Sequence, residues 1–187
     1  NADSLRQVRD IVAADSLARF VVVSAPGKRA AGDTKVTDLL YDCYRTRRAG
    51  GDFETAFARV EKRFTDIVDA LGCDVDLQPY FKQIAYDIDG GASEDYAASR
   101  GEYLSAIVMA AYLGYTFIDA KDIVKFDDDG AFDAELTNEL TARVLRRVGK
   151  GAVIPGFYGQ THGGMIKTFS RGGSDVTGAI VARAVGA

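Results

Sequence analysis

The sequence predicts an α/β protein with a mostly parallel central sheet, and three observations carry that prediction. Residues 19–24 (RFVVVS) and 151–156 (GAVIPG) are apolar without alternation, as strands buried on both faces are. Long segments with apolar residues three and four apart lie between them. The first of those strands is fed directly by a segment of helical spacing over residues 4–14, as in α/β units.

Element by element, residues 4–14 place Leu5, Val8, Ile11 and Val12 at helical spacing ahead of the first strand. The segment APGKRAAGDTK follows that strand, where open parallel sheets place their ligands. Thr37 is expected to start an amphipathic helix, TDLLYDCYRTRR, with Asp38 in its first turn and arginines near its end, as the helix dipole favours. Residues 53–71 and 77–88 repeat the helical spacing. Their charged positions read as solvated faces, and Phe57, Phe64, Tyr80, Phe81 and Met109 as core. Residues 94–115 form a helix apolar on most sides, hence buried, which makes Glu102 conspicuous within it. Short strands are expected near 115–118 and 123–126, an acidic turn at 127–130, a helix over 134–148, and a glycine-punctuated hairpin over 157–169. The final segment, FSRGGSDVTGAIVA over 169–182, sets a glycine pair at the entrance of a helix of small apolar residues. Such an entrance exposes backbone N–H groups to an anion, and Arg171 offers a planar fork for a carboxylate or phosphate. A glycine-rich turn can equally serve only to reverse the chain.

At 187 residues the chain can bury about 70% of its unfolded surface as one domain. Its net charge of −4, with Lys and Arg scattered among Asp and Glu, gives no basic face for nucleic acid. No apolar stretch approaches the roughly 20 residues that cross a bilayer, and residues 1–12 lack secretory character, so a cytoplasmic location is expected. Cys43 and Cys73 have no metal-like spacing and are expected to be reduced thiols. His162, the only histidine, falls in an expected hairpin turn, which argues against a hydrolytic triad; Asp127, Asp128 and Asp129 lack calcium-loop spacing and read as a solvated turn, so no metal site is expected. The chain opens inside a helix and closes on AIVARAVGA without a polar tail, and is expected to be cut at both ends.

Polar residues interrupt the apolar pattern at four strand or helix mouths: 24–27, Thr37 with Asp38, 99–102, and 168–175. Glu102 and Arg171 supply the two signs that a zwitterionic amino acid requires, and Ser24, Thr37, Thr168 and Ser174 add hydroxyl donors. The same residues would also serve as helix caps and one structural ion pair, and their types alone leave both readings open.

These segments resemble the aspartate kinase family of the amino-acid kinase superfamily, over essentially the whole chain and in the family's order. VVVSAPG (21–27) is similar to its strand and serine-glycine turn, and VTDLL (36–40) to its threonine-bearing helix start. SRGEYLSA (99–106) is similar to its SxGE helix, and PGF (155–157) precedes RGGSD (171–175) at the usual distance. The resemblance implies a three-layer αβα sandwich truncated at both ends. Residues 1–187 would form one domain, the amino-acid-binding lobe, with the nucleotide-binding half and ACT domains absent. It implies transfer of the γ-phosphoryl group of Mg-ATP to the side-chain carboxylate of L-aspartate, without a tightly bound cofactor, in a homo-oligomeric full-length protein. The product, 4-phospho-L-aspartate, leads to lysine, threonine and methionine. By match, Ser24, Thr37, Glu102, Phe157, Thr168, Arg171, Gly172, Gly173 and Ser174 would line the aspartate site, and Asp175 would organise the catalytic centre. Three departures stand out: the insertion KRAAGDTK over 28–35, Arg100 where the family often has phenylalanine, and Ser170 where it has glycine. The 187-residue chain alone is expected to be inactive. The competing expectations are a non-catalytic amino-acid-sensing or scaffold domain, and a kinase of another small carboxylate in the superfamily.

Overall fold

The computed structural model describes residues 2–170 and 172–187. In chain order the elements are α1 (Ala2–Ala14), β1 (Phe20–Val23), α2 (Val36–Arg48), α3 (Glu54–Leu71), α4 (Gln78–Asp89), α5 (Glu94–Leu113), β2 (Thr116–Phe117) and α6 (Ala120–Ile123). Then follow β3 (Lys125–Phe126), α7 (Ala134–Leu145), β4 (Ala152–Pro155), β5 (Tyr158–Thr161), β6 (Ile166–Thr168) and α8 (Gly173–Val185).

Both apolar runs form strands of one parallel sheet, ordered β1-β4-β2, with Phe20 opposite Ala152, Val23 opposite Pro155 and Phe117 opposite Val153. The absence of alternation has its reason in the packing, since successive side chains of a strand point to opposite faces and both faces here are covered. Val21, Val23 and Val153 meet Leu5 and Val8 of α1 and Ala106, Met109 and Ala110 of α5. Phe20, Val22, Ala152 and Ile154 meet Val144 and Leu145 of α7 and Val181 of α8. This is the three-layer αβα sandwich. A second small sheet pairs β3 with β5 in parallel and β5 with β6 antiparallel, and the β5–β6 pair is the expected hairpin.

Outside the sandwich, α2, α3 and α4 pack with α5 around Leu39, Leu40, Phe57, Val60, Phe64, Phe81 and Ile84. The middle helix α5 is buried from Ala97 to Ala110 except at Tyr103 and Ser105. It is capped by the Ser93 hydroxyl, which accepts from Tyr96 N–H at 3.1 Å, and ends on left-handed Gly114. Truncating fully buried Leu104 to alanine would cost about 2–5 kcal/mol.

The structure corrects several local expectations. Ile123 closes the one-turn helix α6, nucleated by the Asp119 carboxylate accepting from Lys121 N–H, so strand β3 begins only at Lys125. The helix expected to reach 148 ends at Leu145, and α2 begins at Val36, one residue before Thr37, without a side-chain cap. Tyr80 is only half-buried, at the edge of the helical core. Arg63 of α3, read as part of a solvated face, is 3% exposed. It points inward because the β1–α2 connection folds over α3 and presents carbonyl oxygens to it: Arg63 donates to Gly27 O at 2.8 Å, Thr34 O at 3.2 Å and Asp33 at 2.5 Å. The insertion over 28–35 is therefore pinned to the helical layer chiefly by the Arg63 guanidinium, with Arg59 also donating to Thr34 Oγ1 at 3.2 Å and Arg29 standing 3.4 Å from Asp66 Oδ2.

Cys43 is buried and Cys73 half-buried, both free thiols. His162 is exposed in the hairpin turn, 3.2 Å from Asp133 Oδ2. Among the described residues no helix is long and apolar enough to cross a membrane, and no three His, Cys, Asp or Glu side chains are placed to hold a metal ion.

Candidate amino-acid site

Parallel β1 and β4 end side by side, and Gly156 N–H donates to Val23 O at 2.9 Å across their carboxyl ends. Backbone amides and helix starts therefore gather at this edge of the sheet, where α/β proteins bind ligands.

On the β1 side, Ser24 is exposed and Ala25 is pressed against α5. A Cβ on Gly101 would stand 2.8 Å from Ala25 Cβ and 3.3 Å from Val36 Cγ1, so the glycine of SRGE lets the β1–α2 connection and the start of α2 touch the helix. That contact sets the next residue, Glu102, under the same connection. Its carboxyl is 6% exposed, and Oε2 has no hydrogen-bond partner among the described residues. Burial pushes it from its ordinary value of 4.5 up to about 7; the N–H groups of Ala25 and Glu102 itself, and the positive charge of Arg100, work against that rise. Thr37, half-buried in the first turn of α2, stands beside Val36 on the same side.

The β4 side is built from close backbone packing. Phe157 has φ 80°, the left-handed region costly for a non-glycine residue, and three contacts hold it there. Phe169 N–H donates to Phe157 O at 2.9 Å, and Phe157 N–H donates to Thr177 Oγ1 at 3.2 Å. Any Cβ on Gly173 would be 2.7 Å from Phe157 Cα, so only glycine allows the third contact, in which α8 abuts the turn. Gly156 meets Ser174 in the same way, at 2.7 Å from its Cα. Thr177 Oγ1 also donates to Gly173 O at 2.9 Å, closing a clamp between the turn and the helix.

Left-handed Gly172 (φ 57°) leads into the 13-residue helix α8 with no side-chain cap among the described residues, and the first-turn N–H groups of such a helix start suit an anion. Asp175 is exposed in that first turn. Arg171, expected to grip the substrate carboxylate, lies outside the described residues.

Thr168 is engaged within the protein, its hydroxyl donating to Asp95 Oδ1 at 2.6 Å, and Lys167 Nζ sits 3.3 Å from the other oxygen of Asp95. This joins β6 to the first turn of α5. Asp95 lies seven residues before Glu102, two helical turns away on the same face, and the Tyr41 phenol of α2 is raised first by burial and then by the neighbouring Glu94, Asp95 and Glu102 carboxyls. The structure thus sets Ser24, Thr37 and Glu102 on one side of the strand ends, and Phe157, Thr168, Gly172, Gly173 and Ser174 on the other. Asp95, Thr177 and the Ala25 N–H were missed by the sequence reading. Only the seven-residue spacing of Asp95 from Glu102 left a trace there, because the other two act through contacts that no periodicity encodes.

Residues 1–187 match the model of the amino acid kinase family. Aspartokinase 3 of Bacillus subtilis (strain 168) is 34% identical over 191 residues, covering 95% of this chain and 42% of that protein. Aspartokinase of Thermus thermophilus is 33% identical over 130 residues, 66% of this chain and 30% of the relative. Among solved structures, the aspartate kinase of Clostridium acetobutylicum superposes with TM-score 0.97 at 42% identity, over 100% of this chain and 43% of that one. E. coli aspartokinase III in complex with aspartate and ADP superposes with TM-score 0.80 at 26% identity, over 100% of this chain and 44% of that one. The chain therefore spans less than half the length of these relatives.

Proposed function

The chain belongs to the amino acid kinase family, and on that premise we propose that it is the amino-acid-binding lobe of an aspartate kinase. In this reading residues 1–187 form one domain, and the protein containing it transfers the γ-phosphoryl group of ATP to the side-chain carboxylate of L-aspartate. The observation that carries the reading is the Glu102 carboxyl, buried with one oxygen unpartnered across the strand ends from an uncapped helix start. A buried acid lacking a protein cation calls for a cationic ligand group, and an uncapped helix start for an anionic one. An amino acid brings both on one molecule.

The substrate ammonium would meet Glu102, whose charged form it favours, and its carboxylate would meet Arg171 and the N–H groups that follow Gly172. Ser24, Thr37 and Ser174 would add hydroxyls, Thr168, whose own hydroxyl donates to Asp95, would line the site as a fixed wall residue, and Phe157 would add a wall held in place by Thr177. Aspartate's side-chain carboxylate is already ionised near neutral pH, so one of its oxygens attacks the γ-phosphorus while the bond to ADP breaks, with no proton to remove. These residues would contribute alignment and charge neutralisation, and Asp175 would organise the centre. Mg-ATP enters as co-substrate and supplies its cation with the nucleotide; no tightly bound cofactor is proposed. The resemblance to aspartokinases further supports a homo-oligomeric, cytoplasmic protein serving lysine, threonine and methionine synthesis, without nucleic-acid or membrane partners.

Calorimetric titration of the 187-residue chain with L-aspartate tests the reading. Saturable binding that Glu102→Gln abolishes is expected, with no aspartyl phosphate formed from Mg-ATP by the chain alone. Equal affinity for aspartate in the Glu102→Gln protein would refute it.

A further inference from the structure

Arg100 and Glu102 are two positions apart on α5, so they project about 200° apart around the helix, and Arg100 serves a different place. Its guanidinium is buried, 5% exposed, and no carboxylate lies within 4 Å of it among the described residues. Three tyrosine rings surround it instead, with the guanidinium carbon 4.4 Å from the centroid of Tyr96, 4.5 Å from Tyr103 and 5.2 Å from Tyr158. Nε and Nη2 both donate to Ser99 Oγ, at 3.1 and 2.9 Å, which leaves Nη1 without a partner among the described residues. Ring faces offset a buried positive charge in part, but they accept no in-plane hydrogen bond.

The same arginine lines a cleft of about 490 Å³ between α4, α5 and the β2–α6 connection. Tyr80 and Tyr103 lie on its wall edge to face, with centroids 6.1 Å apart, and neither hydroxyl has a partner among the described residues. Burial raises the Tyr103 phenol, which stays a donor at neutral pH. The acids on the wall are already engaged: Asp87 accepts from Tyr96 and from Gln83 at 2.8 Å, and Asp119 accepts from Tyr158 at 2.7 Å and lies 3.7 Å from Lys121 Nζ. Donors are therefore what the cleft has to spare.

We propose that this cleft binds a small monocarboxylate, whose oxygens take the free Nη1 of Arg100 and the Tyr103 hydroxyl while its apolar body lies against Tyr80. The two aspartates decide for a single negative charge, since a phosphate dianion would be repelled by both. The volume falls within the range of small-molecule sites. Arg100 is one of the positions where this chain departs from the aspartate kinase pattern, and its guanidinium makes no contact with the amino-acid site beyond the pull of its charge on Glu102. The proposal stands independently of that site.

The test titrates the chain with sodium benzoate, sodium acetate and inorganic phosphate at fixed ionic strength, followed by amide NMR. Benzoate should give saturable shifts centred on Tyr80, Tyr96, Tyr103 and Asp119, and phosphate none. Arg100→Lys keeps the charge but loses the fork, and should weaken benzoate about tenfold or more. Tyr103→Phe removes a single oxygen and should weaken it by a smaller factor, which keeps the test open if Arg100→Lys fails to fold. The proposal is overturned by shifts centred on Ser24 and Ser174, by phosphate binding as well as benzoate, by the absence of saturation, or by unchanged affinity in Tyr103→Phe together with a folded Arg100→Lys.

Discussion

Replacing Glu102 with glutamine should make the unliganded protein gain stability relative to the parent as pH rises. The folded protein holds the Glu102 proton until about pH 7, whereas the ordinary carboxyl releases it near 4.5. Below 4.5 both states are protonated, and the residue contributes no pH dependence. Between 4.5 and 7 the unfolded chain has released the proton and the folded chain retains it, so the parent loses stability with each increment of pH; above 7 the loss is complete. At about 1.4 kcal/mol per pH unit, the interval amounts to about 3 kcal/mol. Glutamine does not titrate, and every other group contributes equally to both proteins. The stability difference between Glu102→Gln and parent should therefore shift by about 3 kcal/mol in the variant's favour between about pH 4 and pH 8. Glutamine's NH₂, placed where Oε2 has no partner, adds a cost that is the same at every pH. Urea unfolding followed by tyrosine fluorescence reads the difference directly, since the chain has no tryptophan. A difference constant across that range would show that Glu102 is neither desolvated nor unpaired, and the reasoning for an ammonium site would fall with it.

Aspartate binding should release a proton near pH 6.5, because the incoming ammonium ionises Glu102; calorimetry in buffers of different ionisation enthalpy would show it, and identical heats would refute it. Thr177→Val should leave Phe157 N–H unsatisfied and release the strained turn, costing about 1–3 kcal/mol and weakening aspartate binding, as thermal unfolding and titration would report. Arg63→Leu should leave the Gly27 and Thr34 carbonyls without their donor while Asp33 keeps Arg29, costing about 1–3 kcal/mol, with residues 27–34 becoming the first site of limited proteolysis; a resistant connection would contradict the pinning. Cys43, whose thiol burial pushes up to about 12, should resist alkylation until the protein unfolds, whereas labelling at the rate of a free thiol would contradict its place in the core.

Glu102 shows how far the sequence could be read. Its place inside an apolar helix marked it as costly and therefore purposeful, because helical periodicity fixes which face a residue takes before any partner is known. The uninterrupted valines of β1 likewise announced a strand covered on both sides. Arg63 shows where such reading stops. Its spacing on α3 looks like any solvated cation, and only the folding of residues 27–34 over that helix turns it inward.

The sequence by itself determined the α/β class with a mostly parallel sheet, the order of the main elements and the strand ends at which polar residues collect, since periodicity and glycine placement are local properties of the chain. Only the tertiary structure decided that Asp95 shares the face of Glu102 and ties down Thr168, that Thr177 clamps Phe157 to α8, and that Arg100 turns away into a cage of tyrosines. Those outcomes depend on contacts between residues 20 to 73 positions apart, or on burial created by other helices, and hydrogen-bond geometry across such separations has no counterpart in local pattern.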